Sequence, residues 1–282
     1  MSLASKNTRV NKKIFVIGSN GRLAKAILNY YSEELCTCLK REDYENWSSR
    51  KKRDSILNFF KPQIANNSII FITSGVLNAN ADEELINNVN FHLPWNIIKA
   101  LEGLEVKIVT FGTILEKLKI SDNIYVKSKI KLSDKIETFQ SEVTKVAHFR
   151  IHTLYGYGYP SEFMFLGQLY NAIKQNEKFN MSSGYQIREY HHLDDITKSI
   201  EVILSKNKKG IVELTSGTGI RLRDLALCIF EEFNLEHLLN IGSLDIEHKD
   251  KFTNDYIKNE DLKEVEFRDA LQGVCDYLKP IL

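Results

Sequence analysis

Continuous apolar runs alternate along this chain with stretches whose apolar residues recur every three or four positions. Three of the runs, at 13–18, 68–75 and 106–112, are mostly apolar, which is typical of strands buried on both faces of a parallel sheet. Stretches between them have helical spacing. This alternation predicts an α/β fold built on a doubly wound, Rossmann-like parallel sheet. The predicted strands are 13–18, 35–39, 68–75, 106–112 and 148–154, and the predicted helices are 23–31, 82–101, one carrying Tyr125 and Lys129, and one beginning at Arg223.

The strand–helix rhythm weakens beyond Gly156 into helices, turns and short strands. It predicts a disordered lead at 1–11, a Rossmann domain at 12–150, and a smaller C-terminal α/β lobe at 151–282 that interleaves with the last strands of the sheet. The carboxyl ends of the parallel strands in such a sheet meet at one edge, and ligands bind there. We therefore expect the functional residues to follow directly after the strands.

Composition excludes several classes of function. The net charge is +1, so no strong field attracts nucleic acid or a membrane surface. No apolar run approaches the roughly 18 residues of a membrane span, and the first residues lack the apolar core of a signal peptide. Four scattered cysteines are too few for a disulfide framework, and Cys36 and Cys38 lack the spacing of a zinc or redox pair. We expect a cytoplasmic protein that has reduced thiols and binds neither nucleic acid nor membrane.

A glycine turn, Gly-Ser-Asn-Gly-Arg-Leu-Ala at 18–24, lies between the first strand and the first helix. Its glycines allow the backbone to approach a pyrophosphate, whose negative charge the helix N-terminus favours. The small Ala24 allows the helix to pack on the strand. A plain strand–helix turn is the alternative. The residues predicted to bind the dinucleotide are Gly18, Asn20, Gly21, Arg22 and Leu23 in the turn, and Thr73, Ser74 and Gly75 after the third predicted strand.

The end of the second predicted strand bears on which dinucleotide binds. An acidic residue there would hold the ribose hydroxyls of NAD. The chain instead has Lys40 and Arg41, followed by Glu42 and Asp43. The positive pair suits the 2′-phosphate of NADP, and Arg22 is placed to help. The sequence therefore favours NADP over NAD as the cofactor, with a solvated loop edge as the alternative explanation for the two charges.

Tyr125 and Lys129 are four residues apart on a predicted helix, so they share one of its faces. A nearby ammonium stabilises phenolate and lowers the pKa of tyrosine, which makes the phenol a usable proton donor or acceptor. An exposed helix can carry such a pair without any function. Downstream of a dinucleotide turn, however, the pair indicates nicotinamide chemistry.

In this order the chain resembles an extended short-chain dehydrogenase/reductase of the NAD-dependent epimerase/dehydratase family, in the branch that acts on nucleotide-linked sugars. Tyr125 and Lys129 match the Tyr-x-x-x-Lys motif of that family. The resemblance implies that Tyr125 is the catalytic acid or base and that Lys129 holds the nicotinamide ribose. It also implies a third catalytic hydroxyl, for which Thr113 is the first choice and Thr110 the second.

Two segments of the lobe extend the resemblance. Residues 150–156 resemble Arg-x-x-Asn-x-Tyr-Gly, and residues 184–196 resemble a segment with an arginine that faces the nucleotide diphosphate. The resemblance implies that Thr153, Tyr155 and Arg188 bind substrate. Arginine suits a diphosphate because its fork pairs with two phosphate oxygens at once.

The chain also departs from the family pattern. The interval between Thr113 and Tyr125 is short, and Thr153 replaces the usual asparagine. Glu116 and the two residues before it stand where dehydratases carry an Asp-Glu pair. A 4,6-dehydratase is therefore not expected.

These observations predict a reductase that transfers hydride from NADPH to a keto-sugar nucleotide, with Tyr125 as the proton donor. The first alternative is a nucleotide-sugar 4-epimerase with tightly bound NAD. The second is a non-catalytic protein that senses a dinucleotide. A nucleotide-linked sugar is the expected partner, and a homodimer through the Tyr125 helix would follow family habit. No metal is expected, because none of the histidines has a carboxylate or thiol at ligand spacing.

Overall fold

A computed structural model of the chain describes residues 13–78, 80–119, 121–245 and 256–282. The lead at 1–11 lies outside the described residues. The strands are β1 (Ile14–Ile17), β2 (Cys36–Leu39), β3 (Ser68–Ile72), β4 (Val106–Thr113), β5 (Lys145–Ile151), β6 (Thr153–Tyr155), β7 (Phe179–Met181), β8 (Ile187–Arg188), β9 (Tyr190–His192), β10 (Gly210–Glu213), β11 (Ile220–Arg221) and β12 (Leu239–Ile241). The α-helices are α1 (Arg22–Tyr31), α2 (Arg41–Tyr44), α3 (Arg53–Phe60), α4 (Glu83–Asn87), α5 (Leu93–Ala100), α6 (Ile124–Glu137), α7 (Phe165–Gln175), α8 (Leu193–Ser205), α9 (Leu222–Glu232) and α10 (Ala270–Leu278). Short 3-10 turns lie at Glu33–Leu35, Glu45–Ser48, Arg50–Lys52, Ile114–Leu118, Glu236–Leu238 and Glu260–Leu262, and a π turn at Asn88–His92 joins α4 to α5.

Six of these strands form a parallel sheet in the order β2-β1-β3-β4-β5-β10. Every residue of β1 and of β3 is buried, because helices cover both faces of the sheet. This burial explains the continuous apolar runs in the sequence. The sheet confirms the predicted doubly wound α/β fold.

The predicted strand at 148–154 is two strands in the structure. The first, β5, ends at Ile151 in the central sheet, and the second, β6, begins at Thr153 and pairs with β9 instead. The chain leaves the central sheet at His152, which is buried. A single extended run therefore takes part in two separate pairings, which its apolar pattern does not reveal.

Apolar side chains pack against both faces of the sheet. Helices α1 and α8 cover one face with residues such as Ile27 and Ile200, and α5 and α6 cover the other with Ile97 and Leu132. A third apolar cluster joins α7, α9 and α10 and includes Tyr155. Each large apolar side chain buried in these clusters contributes roughly 1.5–3 kcal/mol to stability. No helix in the described ranges is both long and apolar enough to cross a membrane.

The chain returns to the central sheet after it has entered the third cluster. Helix α8 packs beside α1, and β10 pairs with β5 in parallel. Residues after 151 thus supply one strand and one covering helix to the sheet. The domain boundary at 150 stays a prediction.

Candidate active site

The turn between β1 and α1 brings three strand ends together. Gly18 has a φ of 86°, and a Cβ there would lie 2.7 Å from the main-chain nitrogen of Ser74. Glycine is required at this position, because the crossing is close and the backbone is left-handed. The N–H of Gly18 also donates to the carbonyl oxygen of Leu39 at 3.1 Å, at the end of β2. The turn is thereby fixed against the ends of β2 and β3.

Gly21 has no steric reason within the protein to be glycine. Its φ is −70°, and a Cβ there would meet only the carbonyl oxygen of Gly18, at 3.5 Å. It precedes α1 without a side-chain cap, so the first N–H groups of the helix are left for another acceptor. The buried hydroxyl of Ser74 nearby has no hydrogen-bond partner among the described residues. This open space, with its unsatisfied donors at a helix N-terminus, fits the pyrophosphate of a dinucleotide.

The residues after β3 lie between the glycine turn and α6. The hydroxyl of Thr73 donates to the carbonyl oxygen of Ile17 at 2.8 Å. Gly75 is exposed, and a Cβ there would lie 3.6 Å from Oδ1 of Asn90 and 4.0 Å from Nζ of Lys129. Gly75 therefore borders Lys129 while leaving the space beside it open.

The side chain of Arg22 is directed away from the adenosine end of the predicted cofactor site. Its Nε donates to the carbonyl oxygens of Gly156 at 2.9 Å and Tyr157 at 3.0 Å, and its terminal nitrogen donates to that of Leu154 at 3.4 Å. The predicted help of this guanidinium at a 2′-phosphate is therefore wrong, because the side chain binds the loop after β6. Only the main-chain N–H of Arg22 remains at the glycine turn.

The end of β2 presents positive charge. Lys40 and Arg41 are both exposed there, and neither forms an ion pair with another described residue. Of the two acidic residues that follow, Asp43 accepts a hydrogen bond from the main-chain N–H of Lys40 at 2.7 Å. The two cations are thus left accessible beside the glycine turn, while the carboxylate is used within the chain.

Tyr125 and Lys129 lie on α6, the helix that the sequence predicted for them. The side chain of Asn123 caps the helix by accepting from the N–H of Val126 at 3.3 Å. Lys129 is buried, and its Nζ donates to the carbonyl oxygen of Phe111 at 2.8 Å. The same Nζ lies 5.9 Å from the centre of the Tyr125 ring. Both side chains therefore meet at the carboxyl end of β4.

The two pKa values differ from the sequence expectation. Burial lowers the pKa of Lys129 to about 8, while the carboxylate of Glu116 acts to raise it. Burial and, secondly, the same carboxylate raise the pKa of Tyr125. The expected lowering of the Tyr125 pKa is therefore wrong for the protein alone, because burial disfavours the charged phenolate. The phenol is protonated at neutral pH.

Thr113 is the last residue of β4, at the carboxyl end of the parallel strands. Its Oγ1 accepts from the N–H of Leu115 at 3.3 Å, and its own N–H donates to Glu116 at 2.8 Å. These bonds cap the 3-10 turn Ile114–Leu118, which explains how so short a segment leads to α6. Thr110, the second choice, is buried inside the sheet and bonded to Nδ1 of His148 at 2.7 Å. Of the two, only Thr113 lies at the edge, and its catalytic role stays a prediction.

Sequence reasoning missed Asn90, which is buried in the π turn. Its Nδ2 donates to the carbonyl oxygen of Val76 at 3.0 Å and to Oγ of Ser128 at 3.1 Å, while its Oδ1 accepts from the N–H of Val76 at 2.9 Å. Oγ of Ser128 in turn donates to the carbonyl oxygen of Tyr125 at 2.6 Å. This chain of bonds braces the start of α6 against the end of β3. Asn90 is one of four asparagines in the predicted helix 82–101, with Asn87, Asn88 and Asn96, so its position in the sequence did not single it out.

Tyr155 does not face the site. Its side chain is 0% exposed and packs edge-on against His192 in the third apolar cluster. A Cβ at Gly273 would lie 2.1 Å from its hydroxyl, so the ring fills the space between β6 and α10. The predicted contact of Tyr155 with substrate is wrong, because alternation along β6 directs this side chain into the core of the lobe.

Thr153 and Arg188 lie on short strands of the lobe and are half-buried. The N–H of Thr153 donates to the carbonyl oxygen of Glu189 at 3.1 Å. Arg188 pairs opposite Ile220 in the antiparallel ladder of β8 and β11, and its guanidinium donates to the carbonyl oxygen of Ile187 at 2.8 Å. Their roles in binding substrate stay predictions. In the part of the chain that the structure describes, no group of three or more His, Cys, Asp or Glu side chains is arranged to hold a metal ion.

Comparison with known proteins gives one match to a family model and many to solved structures. The model of the NAD dependent epimerase/dehydratase family matches residues 14–214. No curated protein matches the sequence.

The matching structures include reductases and an epimerase. One is a dTDP-4-dehydrorhamnose reductase from Clostridium acetobutylicum, 14% identical, which aligns over 95% of this chain and 99% of its own with a TM-score of 0.72. Another is a dTDP-4-dehydrorhamnose reductase from Bacillus anthracis in complex with NADP, 14% identical, with 97% and 100% of the two chains aligned and a TM-score of 0.73. A third is a UDP-N-acetylglucosamine 4-epimerase from Methanobrevibacter ruminantium, 13% identical, with 95% and 97% aligned and a TM-score of 0.74. At these identities the shared property is the fold.

Proposed function

This chain belongs to the NAD dependent epimerase/dehydratase family, and within that family we propose that it reduces a keto group on a nucleotide-linked sugar. NADPH, when bound, supplies the hydride. The residues of the chain bind and orient both reactants and deliver the proton that the developing alkoxide requires.

The observation that carries this proposal is the accessible positive pair at the end of β2. Lys40 and Arg41 stand where a carboxylate would bind the ribose of NAD, and Asp43 is occupied by the N–H of Lys40. A 2′-phosphate would gain two cations there. The Bacillus anthracis reductase of the same fold holds NADP, which supports the same choice for this chain.

The protonation state of Tyr125 supports reduction over epimerisation. A reductase needs a phenol that gives its proton to the carbonyl oxygen, whereas an epimerase must first remove a proton from a sugar hydroxyl. Burial raises the pKa of Tyr125, which keeps the phenol protonated at neutral pH and suits the donor role. Thr113 would hydrogen-bond the same oxygen from the end of β4.

Lys129 would hold the nicotinamide ribose beside Gly75, since its ammonium already lies at that border. Arg188 would pair with the diphosphate of the substrate, for which its fork of donors is suited. Thr153, on β6, would contact the sugar.

A 4-epimerase is the second candidate, because an epimerase of the same fold acts on UDP-N-acetylglucosamine. The same tyrosine, lysine and threonine would serve it. It differs in keeping NAD bound through the whole cycle, so the state of the cofactor separates the two functions.

The test is a titration of the purified protein with NADPH and with NADH, in which binding is monitored by the intrinsic fluorescence of the protein. Wild type is compared with Lys40→Ala/Arg41→Ala and with a control, Lys51→Ala/Lys52→Ala, which removes the same charge from an exposed 3-10 turn. We expect the first variant to lose NADPH affinity by about tenfold or more, on the scale of a lost phosphate pair, while NADH affinity and the control stay unchanged. Preference for NADH, or NAD that co-purifies with the protein, would put epimerisation first.

A further inference from the structure

A buried polar cluster interrupts the apolar layer between the sheet and α6. Its members are Glu116, His148 and Thr110, and the side chains of Glu116 and His148 are 0% exposed. Nε2 of His148 lies 3.1 Å from Oε2 of Glu116, and its Nδ1 lies 2.7 Å from Oγ1 of Thr110. Nε of Arg150 donates to the same carboxylate oxygen at 3.0 Å. The carboxylate is thus held by two side chains of β5.

The backbone of β4 is shaped to hold this carboxylate. A Cβ at Gly112 would lie 1.9 Å from Oε1 of Glu116 and 2.2 Å from Nε2 of His148, so any side chain there would displace both groups. The N–H of Thr113 donates to Oε1 of Glu116 at 2.8 Å. A buried carboxylate is costly unless hydrogen bonds and charge compensate it. Here the protein supplies that compensation, and the absence of a side chain at Gly112 leaves room for the carboxylate of Glu116.

The cluster lies directly behind the candidate reacting groups. Alternation along β4 puts Gly112 on the face that α6 covers, since Ile108 on that face packs in the same apolar cluster as Leu132 of α6. The residue before Gly112, Phe111, supplies the carbonyl oxygen that accepts from Lys129, and the residue after it is Thr113. Glu116 therefore contacts the short stretch of β4 that also anchors the lysine and the threonine.

We propose that Glu116 is a positioning residue for the reduction proposed above: it fixes Thr113 at the end of β4 and keeps Lys129 in its ammonium form. His148 and Arg150 hold Glu116 in its ionised form. This inference rests on the proposed function for its catalytic meaning, but the electrostatic effect is a property of the protein alone. The direction in which Glu116 moves the pKa of both Tyr125 and Lys129, upwards, agrees with it.

The titratable and charged groups that face Glu116 among the described residues come from two packed elements and from its own turn. From β5 they are His148 and Arg150, and from α6 they are Tyr125 and Lys129. On its own turn Lys117 is exposed and pairs with Glu213 at 3.0 Å. Glu213 lies opposite Arg150 in the pairing of β10 with β5, but its side chain bonds Lys117 and not Glu116 or His148. Glu213→Gln, which removes a carboxylate from this region without removing the one that the proposal concerns, is therefore the control.

The experiment measures the titration of Lys129 by carbon-13 NMR of lysine-labelled protein, with the Lys129 resonance assigned by its loss in Lys129→Met. In wild type we expect a midpoint near pH 8. In Glu116→Gln it should fall by at least about half a pH unit, whereas in Glu213→Gln and in the charge-preserving Glu116→Asp it should stay near the wild-type value. Arg150→Gln, which removes the positive partner, should raise it.

An unchanged midpoint in Glu116→Gln overturns the proposal, and if that variant does not fold, an unchanged midpoint in Arg150→Gln does so. Once a substrate is found, the alkaline limb of the pH profile of kcat/KM should move to lower pH in Glu116→Gln and not in Glu213→Gln. The NMR result does not depend on turnover. If no reduction is found, the NMR result on Glu116 still holds. If the protein is an active reductase and Glu116→Gln does not shift the Lys129 midpoint, only the role of Glu116 is disproved and the proposed function is kept.

Discussion

Arg22, the first residue of α1, donates from Nε to the carbonyl oxygen of Tyr157 at 3.0 Å, and Tyr157 lies in the loop after β6 with a φ of 55°. A non-glycine residue in that conformation carries strain, which the surrounding bonds must hold. The hydroxyl of Tyr157 is itself fixed by Asp194 at 2.6 Å. The side chain that follows the cofactor turn thus holds the backbone of the loop that leads into the lobe.

Replacement of Arg22 by Met should therefore loosen this loop more than it disturbs the cofactor turn. We expect limited proteolysis to cut within 156–164 several-fold faster and KM for the nucleotide-sugar to rise by about threefold to tenfold, the scale of one hydrogen bond lost at a partly exposed position. NADPH affinity should change little. Lys25→Met, an exposed change one turn along the same helix, is the control and should leave both readouts at wild-type values.

Replacement of Tyr125 by Phe separates an enzyme from a non-catalytic sensor. Loss of the only proposed proton donor should lower kcat by about a hundredfold or more, while NADPH affinity measured by fluorescence stays within about twofold. Tyr185→Phe, which removes a hydroxyl from an exposed ring of the lobe, is the control. Unaltered turnover in Tyr125→Phe would mean that another group delivers the proton.

The rate of the reaction should fall as pH rises through about 8. Burial lowers the pKa of Lys129 to about 8, so the ammonium that holds the ribose is lost above that value, and kcat/KM should then drop by about tenfold per pH unit. The measurement is a pH profile of NADPH oxidation at low substrate. In Lys129→Met the activity should be lower and this alkaline limb absent; a limb that persists there belongs to another group.

The lowered pKa of Lys129 makes folding stability depend on pH in the opposite direction from activity. Because the folded pKa of Lys129 lies below its unfolded value of about 10.4, the neutral form stabilises the folded state. Its contribution is complete above the unfolded pKa and is lost as pH falls through about 8. Urea unfolding at several pH values should show a smaller pH dependence between about 8 and 10 for Lys129→Met than for wild type.

The two glycines of the first turn should respond differently to alanine. In Gly18→Ala the new Cβ would lie 2.7 Å from the main-chain nitrogen of Ser74, and the φ of residue 18 is 86°. The substitution should therefore lower the free energy of unfolding by about 1–3 kcal/mol. Gly21→Ala has room within the protein and should keep its stability within about 0.5 kcal/mol. It should nevertheless weaken NADPH and NADH binding alike, because the methyl group occupies the space offered to the pyrophosphate. Normal binding in Gly21→Ala would argue that the cofactor lies elsewhere.

Sequence reasoning succeeded where the pattern is local. The apolar runs of β1 and β3 follow from burial on both faces, and the glycine turn follows from the need to cross close to Ser74. The family match over residues 14–214 confirms the predicted family, and with it an enzyme that uses a nicotinamide dinucleotide. Each of these features leaves a pattern in consecutive residues, although its cause lies in contacts with distant parts of the chain.

It failed where distant parts of the chain meet. Arg22 was assigned to the cofactor because of its position, but its long side chain reaches carbonyl groups more than a hundred residues further along. Tyr155 lies on a three-residue strand, which is too short for its alternation to show in the sequence which face is buried; that face is seen only from the pairing with β9 and the contact with Gly273 of α10. The pKa of Tyr125 depends on burial, which spacing from Lys129 does not report.

The position of β10 has a consequence for how the protein is made. This strand forms the edge of the sheet beside β5. It is nevertheless synthesised only after the first segments of the lobe and after α8. A nascent chain that has emerged only as far as β5 would expose a strand edge and the apolar face that α8 later covers. Such intermediates are prone to aggregate. The six-stranded sheet can therefore be completed only after more than two thirds of the polypeptide has been synthesised. Synthesis of the first half of the chain is not sufficient to form the complete cofactor-binding fold.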